Sequence, residues 1–176
     1  FEKIEQKTAH VVVVGIGYVG LPLVAELARA GFRVTGLDYD REKVRLLNAG
    51  ESYIRDVPTA DLAPHVKART LAATADPAIL AEADAVVVCV PTPLNKTKEP
   101  DMRFIVEATT EIAKHQHPGM LVVLESTTYP GTTDEDLLRV LEAGSKMKAG
   151  VDFHLAFSPE REDPGNAKFD TKSIPK

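Results

Sequence analysis

The sequence has one cysteine, no run of basic residues beyond isolated pairs, and no apolar stretch free of breakers. A single thiol, Cys89, can close no intrachain disulfide and build no multi-cysteine zinc site; it suits a reducing compartment, and a cytoplasmic setting is expected. Acids outnumber bases, for a net charge of −5 and a pI near 5.6. A surface for nucleic acid or an anionic membrane wants the opposite sign, so neither partner is expected. The longest apolar stretch, Val11 to Ala28, is interrupted by Gly15, Gly17, Gly20, Pro22 and Glu26. It follows the mixed charges Glu2, Lys3, Glu5 and Lys7, which argues against a leader or a span. Because the chain begins at Phe1, part of the native start is expected to be missing. Low-complexity linkers and repeats of fixed period are also absent. His115 and His117 stand two apart at a helix end and diverge, while His10, His65 and His154 have no recognisable partners, so no metal site is expected.

What is present is a repeated alternation of short apolar runs and helical patterns over 176 residues. Val11–Val14 is four valines in succession, as in a strand buried on both faces of a parallel sheet. Val19–Ala30 spaces its apolar residues helically, with Gly31 as a C-cap. Phe32–Leu37 reads as a strand and Asp40–Ala49 as a helix closed by Gly50. A loop then runs to Pro58, before a helix over Ala60–Ala68. Further strands are expected at Leu71–Ala73, Ala85–Val90, Leu121–Leu124 and Phe153–Phe157. Helical segments are expected at Pro77–Glu82, Phe104–Lys114 and Thr133–Ala143. Pro91, Pro93 and Pro100 make the segment after Val90 a long loop. Strands alternating with helices of this length imply an α/β fold. It is a doubly wound, mostly parallel sheet of the Rossmann type, in a single domain over residues 9–176 behind an extension at 1–8.

Gly15-Ile16-Gly17-Tyr18-Val19-Gly20 matches GxGxxG in the context that the motif needs, after a buried strand and at the opening of a helix. Gly15 permits a tight turn, Gly17 leaves room for a pyrophosphate, and Gly20 lets the helix pack closely on the strand. The helix N-terminus offers N–H groups and partial positive charge to the phosphates. The next strand ends at Asp38, where a carboxylate accepts hydrogen bonds from adenosine-ribose hydroxyls and repels a 2′-phosphate. This favours NAD over NADP, an inference that Arg41 and Lys43 weaken slightly. A structural turn and a helix N-cap are the plainer readings of the glycines and of Asp38. Tyr39 and Lys43 also form YxxxK, but beside the ribose acid, at the wrong end of a dinucleotide for hydride chemistry.

Three more segments stand at strand ends, where doubly wound sheets bind ligands. They are Cys89-Val90-Pro91-Thr92-Pro93-Leu94, Glu125-Ser126-Thr127-Thr128-Tyr129-Pro130-Gly131-Thr132, and Phe157-Ser158-Pro159-Glu160-Arg161-Glu162-Asp163-Pro164-Gly165-Asn166. With the glycine turn, in this order, they resemble the UDP-glucose/GDP-mannose dehydrogenase family, and within it the bacterial UDP-N-acetyl-hexosamine 6-dehydrogenases. That family oxidises the C6 alcohol of a nucleotide sugar to a carboxylate with two NAD+, through a thiohemiacetal on a cysteine in its second half.

The resemblance implies a cofactor site of Gly15, Gly17, Tyr18, Val19 and Gly20 at the pyrophosphate, with Asp38 and Lys43 at the adenosine ribose. It implies that Val90, Pro91, Thr92 and Pro93 line the cofactor loop, and that Ser126 and Thr127 lie beside the nicotinamide ribose. Catalytic roles fall to Thr127, whose hydroxyl orients water and stabilises oxyanion charge, and to Glu160, which activates the hydrolytic water. Other branches follow the Ser-Pro-Glu segment with a hydrophobic pair and a second acid; Arg161-Glu162-Asp163-Pro164 departs from this, leaving the second acid unassigned.

Simpler roles stand beside these. Thr132 and Thr133, followed by Asp134, Glu135 and Asp136, read as a helix cap with acids on the positive end. Pro91 and Pro93 also serve to stiffen a loop. Cys89 lies inside the apolar strand expected at Val86–Val90, where a buried thiol is inert; the family's nucleophile belongs to a later motif.

The chain ends at Ser173-Ile174-Pro175-Lys176, where the family continues into a connecting helix and a second α/β domain. The resemblance therefore implies a truncated polypeptide that binds NAD(H) without turnover. Its parent would be a homo-oligomer whose UDP-sugar is held mostly by the missing half. Two alternatives are another NAD-dependent dehydrogenase of the 3-hydroxyacid type and a non-catalytic dinucleotide-sensing module.

Overall fold

The computed structural model describes residues 2–94 and 100–159. Six strands form one sheet: β1 (His10–Val14), β2 (Arg33–Leu37), β3 (Leu71–Thr74), β4 (Ala85–Val88), β5 (Leu121–Leu124) and β6 (His154–Phe157). They pair in the order β3-β2-β1-β4-β5-β6, every pair parallel. The helices are α1 (Glu2–Glu5), α2 (Gly20–Arg29), α3 (Arg41–Asn48), α4 (Thr59–Lys67), α5 (Arg103–His115) and α6 (Leu138–Ser145), with a 3₁₀ segment at Pro77–Glu82.

The valine run of β1 is buried along its whole length because both faces of the sheet are covered. Val12 and Val14 pack with Val86, Val88, Val122 and Leu124 on one face, while Val13 packs with Ile16, Leu21 and Val24 on the other. Each such side chain contributes about 1.5–3 kcal/mol on leaving water. The helices supply matching stripes: Leu21, Val24, Ala25 and Ala28 of α2, and Ile105, Ala108, Ile112 and Ala113 of α5, follow the spacing of one helical face. The strand order runs outward from β1 on one side and from β4 on the other. It therefore reverses between them, and their C-terminal ends open a crevice.

Several expectations are corrected. Within the extension before β1, Glu2–Glu5 form a helical turn whose Lys3 pairs with Asp84, just before β4. Burial alone pushes the Asp84 carboxyl up, but the Lys3 ammonium and the His10 N–H outweigh it and hold it below its usual value. His10 does have partners: its Nε2 lies 2.8 Å from the Thr35 hydroxyl and its Nδ1 3.2 Å from the Glu82 carbonyl. The helix expected at Thr133–Ala143 opens as a π-helical turn, Thr132–Leu137, before α6.

No threonine caps that turn. Gly131, at φ +95°, precedes it, and the Thr132 hydroxyl turns back to the Tyr129 carbonyl at 2.8 Å. Thr132 is already the first residue of the turn and is buried, so its hydroxyl does not sit where an N-cap side chain meets the first N–H groups. The strand expected to reach Val90 ends at Val88, so Cys89 lies beyond β4 rather than inside it, though still buried.

Candidate functional site

The glycine turn closes the crevice at the end of β1. Gly15 has φ +88°, and a Cβ there would stand 2.7 Å from the Cys89 carbonyl oxygen, so both backbone sign and space demand glycine. A Cβ at Gly20 would stand 1.8 Å from the Gly15 carbonyl oxygen, so only glycine there lets α2 begin directly against the turn. At Gly17 the requirement differs: a Cβ would meet nothing within 4 Å. Fold packing leaves that space open. Val19 precedes α2 without a side-chain hydrogen bond, so no capping side chain competes for the N–H groups of the first turn.

Asp38 stands one strand over, largely buried. Its Oδ2 accepts from the Ile16 N–H at 3.0 Å, its Oδ1 from the Asp40 N–H at 2.9 Å, and Lys43 Nζ lies 3.4 Å from Oδ2. The cap of α3 is Asp40, which accepts from Glu42 and Lys43 N–H, so Asp38 is not an N-cap. Ribose hydroxyls need acceptors, and an ionised carboxylate has about four lone-pair sites of which the backbone takes two.

A cleft of about 600 Å³ joins these groups to the ends of β4 and β5. Its walls bring together Gly15, Gly17, Tyr18, Val19, Asp38 and Lys43 with Val90, Pro91, Thr92, Ser126 and Thr127. Gly20 lies beneath the turn instead, and Pro93 is not among the walls. Glu160 falls outside the described residues. Thr127 is exposed, whereas Ser126 is buried with its hydroxyl donating to the Val90 carbonyl at 2.8 Å, tying the β5 end to the loop after β4. Cys89 forms part of the cleft floor, and its N–H donates to the Val14 carbonyl at 2.8 Å.

Sequence reasoning missed one wall. Phe104, Glu107, Ala108 and Glu111 of α5 line the cleft, as does Tyr39. Burial, then Glu111 and Glu107, raise the Tyr39 phenol above its usual value. The spacing 104, 107, 108, 111 marks one helical face and was available as a signal, but nothing local says which face meets a ligand. Glu125 was also passed over. It is a buried acid beside Ser126, with the Ser158 hydroxyl 3.4 Å from its Oε1.

The arrangement suits a dinucleotide: an open, uncapped helix start for a diphosphate, a carboxylate for a ribose, and an elongated crevice to hold both halves. Residues 9–176 match the model of the UDP-glucose/GDP-mannose dehydrogenase family, NAD binding domain. The chain is 37% identical to UDP-N-acetyl-D-glucosamine 6-dehydrogenase of Pseudomonas aeruginosa, over 97% of this chain and 39% of that protein. It is 35% identical to UDP-N-acetyl-D-mannosamine dehydrogenase of Pyrococcus horikoshii, over 89% of this chain and 37% of that one. The crystal structure of NDP-N-acetyl-D-galactosaminuronic acid dehydrogenase from Methanosarcina mazei Go1 superposes with a TM-score of 0.84 at 35% identity, over 92% of this chain and 37% of that one. The chain thus spans under two fifths of the length of these relatives.

Proposed function

The chain belongs to the UDP-glucose/GDP-mannose dehydrogenase family, in its NAD-binding domain, and from that premise we propose that it is the cofactor half of a nucleotide-sugar 6-dehydrogenase. The whole enzyme oxidises the C6 alcohol of a UDP-sugar, a UDP-N-acetyl-hexosamine, to the uronate with two NAD+. The observation that carries the reading is the cleft in which the open space over Gly17 and the Asp38 carboxylate face the ends of β4 and β5. The names of the relatives, acting on UDP-N-acetyl sugars, support the substrate class.

NAD+, when bound, supplies the hydride acceptor. The chain's own residues bind and orient it. The Gly17 N–H and the start of α2 hold the diphosphate by hydrogen bonds and partial positive charge. Asp38 accepts from the adenosine-ribose hydroxyls, with Lys43 beside it, and its charge disfavours a 2′-phosphate. Tyr18, Val19, Val90, Pro91 and Thr92 pack along the cofactor, with Gly15 and Gly20 shaping the turn and Pro93 stiffening the loop. Ser126 fixes the strand end that carries Thr127, and Thr127 presents its hydroxyl to a water or a developing oxyanion at the reacting carbon. Glu160 takes the proton of the hydrolytic water. Residues 9–176 act as one unit behind the 1–8 extension, in a cytoplasmic homo-oligomer of the full-length enzyme.

On this reading the 176-residue chain binds NAD+ but does not turn over. Mixing it with NAD+ and a UDP-N-acetyl-hexosamine should give no sustained rise in NADH absorbance; continued production by the purified chain refutes the division of labour.

A further inference from the structure

The loop from Gly50 to Pro58, between α3 and α4, has no sequence periodicity and no part in the cofactor reading above. It nevertheless sends one side chain to the glycine turn: the Tyr53 hydroxyl donates to the Ile16 carbonyl at 2.6 Å. The loop is well anchored. Ile54 and Val57 are buried, the Ser52 hydroxyl donates to the Ile54 carbonyl at 2.9 Å, and the Ser52 N–H donates to the Thr59 hydroxyl at 3.1 Å. Burial, then the charges of Asp38 and Asp40, push the phenol well above its usual value, so it remains a donor.

Ile16 is thereby fixed at three points. Its N–H is held by Asp38, its carbonyl by Tyr53, and its side chain is buried against Gly36, where a Cβ would stand 2.7 Å from Ile16 Cγ2. The Ile16–Gly17 peptide is trans and planar, so its C=O and N–H point in opposite directions. Tyr53 packs against the core cluster that holds Ile16, Leu47 and Leu62 and is not among the cleft's walls, whereas Gly17 is. With the carbonyl held on the Tyr53 side, the anti arrangement puts the Gly17 N–H on the opposite side of the peptide, and Gly17 itself lines the cleft. Among the described residues, that N–H enters no hydrogen bond.

We propose that Tyr53 is a positioning residue for the dinucleotide, locking the Ile16–Gly17 peptide so that the Gly17 N–H is aimed at the diphosphate before it arrives. Without the hydroxyl, the glycine peptide loses one of these restraints, and ordering it becomes part of the cost of binding. The inference rests on the placement of the diphosphate at the glycine turn.

The test is Tyr53→Phe, which keeps the ring and removes the donor. NAD+, ADP-ribose and adenosine are titrated against wild type and variant, with the Gly17 amide resonance followed in each. Loss of one hydrogen bond predicts that NAD+ and ADP-ribose bind about two- to tenfold more weakly, while adenosine, which carries no phosphate, is unchanged. Equal weakening of all three ligands, or of none, overturns the proposal, since a merely structural residue does not distinguish them. If the wild-type Gly17 amide ignores NAD+, the diphosphate placement itself fails, an outcome separable from an unaffected variant. Should Tyr53→Phe not fold, 3-fluorotyrosine at position 53 makes the hydroxyl a stronger donor. It should then tighten NAD+ and ADP-ribose relative to adenosine, and unchanged relative affinity overturns the proposal.

Discussion

Replacing Gly17 with alanine separates binding from folding. The new Cβ meets nothing within 4 Å and the backbone there is not left-handed, so the fold accepts it. Reduced freedom of the unfolded chain should stabilise the variant by about 0.4–1 kcal/mol. In a domain of this size that is about 1–4 °C in Tm. The same methyl occupies the approach of a diphosphate to the Gly17 N–H. Losing one charge-assisted hydrogen bond costs about 1.5–3 kcal/mol, or roughly a ten- to 150-fold rise in Kd for NAD+. Calorimetry with NAD+, paired with a thermal melt, reads both quantities. Gly20→Ala is the control, because its Cβ would fall 1.8 Å from the Gly15 carbonyl oxygen and force the backbone apart. That variant should lose at least about 1–3 kcal/mol of stability. Gly17→Ala binding NAD+ as wild type does, or melting as low as Gly20→Ala, refutes the reasoning.

Asp38→Ala should weaken NAD+ binding by about 1–3 kcal/mol through lost bonds to a charged acceptor. It should also lower Tm, because the Ile16 N–H loses its partner; unchanged affinity in calorimetry removes Asp38 from the site. Stability should also depend on pH through His10, whose imidazole is held below its ordinary value of 6.5 by burial first and by Arg33 second, against the opposing pull of Glu82 and Asp84. A depressed base binds protons less readily when folded than when unfolded. Its contribution is therefore complete above 6.5 and is lost as pH falls through the lower folded value. Urea unfolding between pH 7.5 and 5 should show a falling midpoint in wild type and a flatter profile in His10→Gln, and parallel profiles contradict the assignment.

The parts of the fold and site visible in the sequence are those written in local pattern. Four valines announce a strand buried on both faces, and the triplet of glycines followed by Asp38 announces the turn and its acid, because spacing along the chain fixes their spacing in space. The missed parts depend on tertiary meetings. Tyr53 reaches a carbonyl 37 residues back from a loop with no periodicity, and Gly36 reads as a weak strand residue until Ile16 is seen filling the space beside it. The α5 wall is encoded as an amphipathic helix, but Glu107 and Glu111, which line the cleft beside the core stripe, look like an ordinary polar flank. At Thr132, composition suggested a cap where Gly131 and its left-handed backbone set the helix start one residue earlier. His10 found Thr35 across the sheet through strand register, which no single-strand pattern carries.

The most direct measurement is a crystal structure of this chain with NAD+ bound. The account predicts the two phosphates within hydrogen-bond reach of the Gly17 N–H and the start of α2. It places the adenosine ribose hydroxyls on Asp38 and the nicotinamide end toward Thr127. A dinucleotide seated elsewhere, or phosphates turned away from the glycine turn, contradicts it.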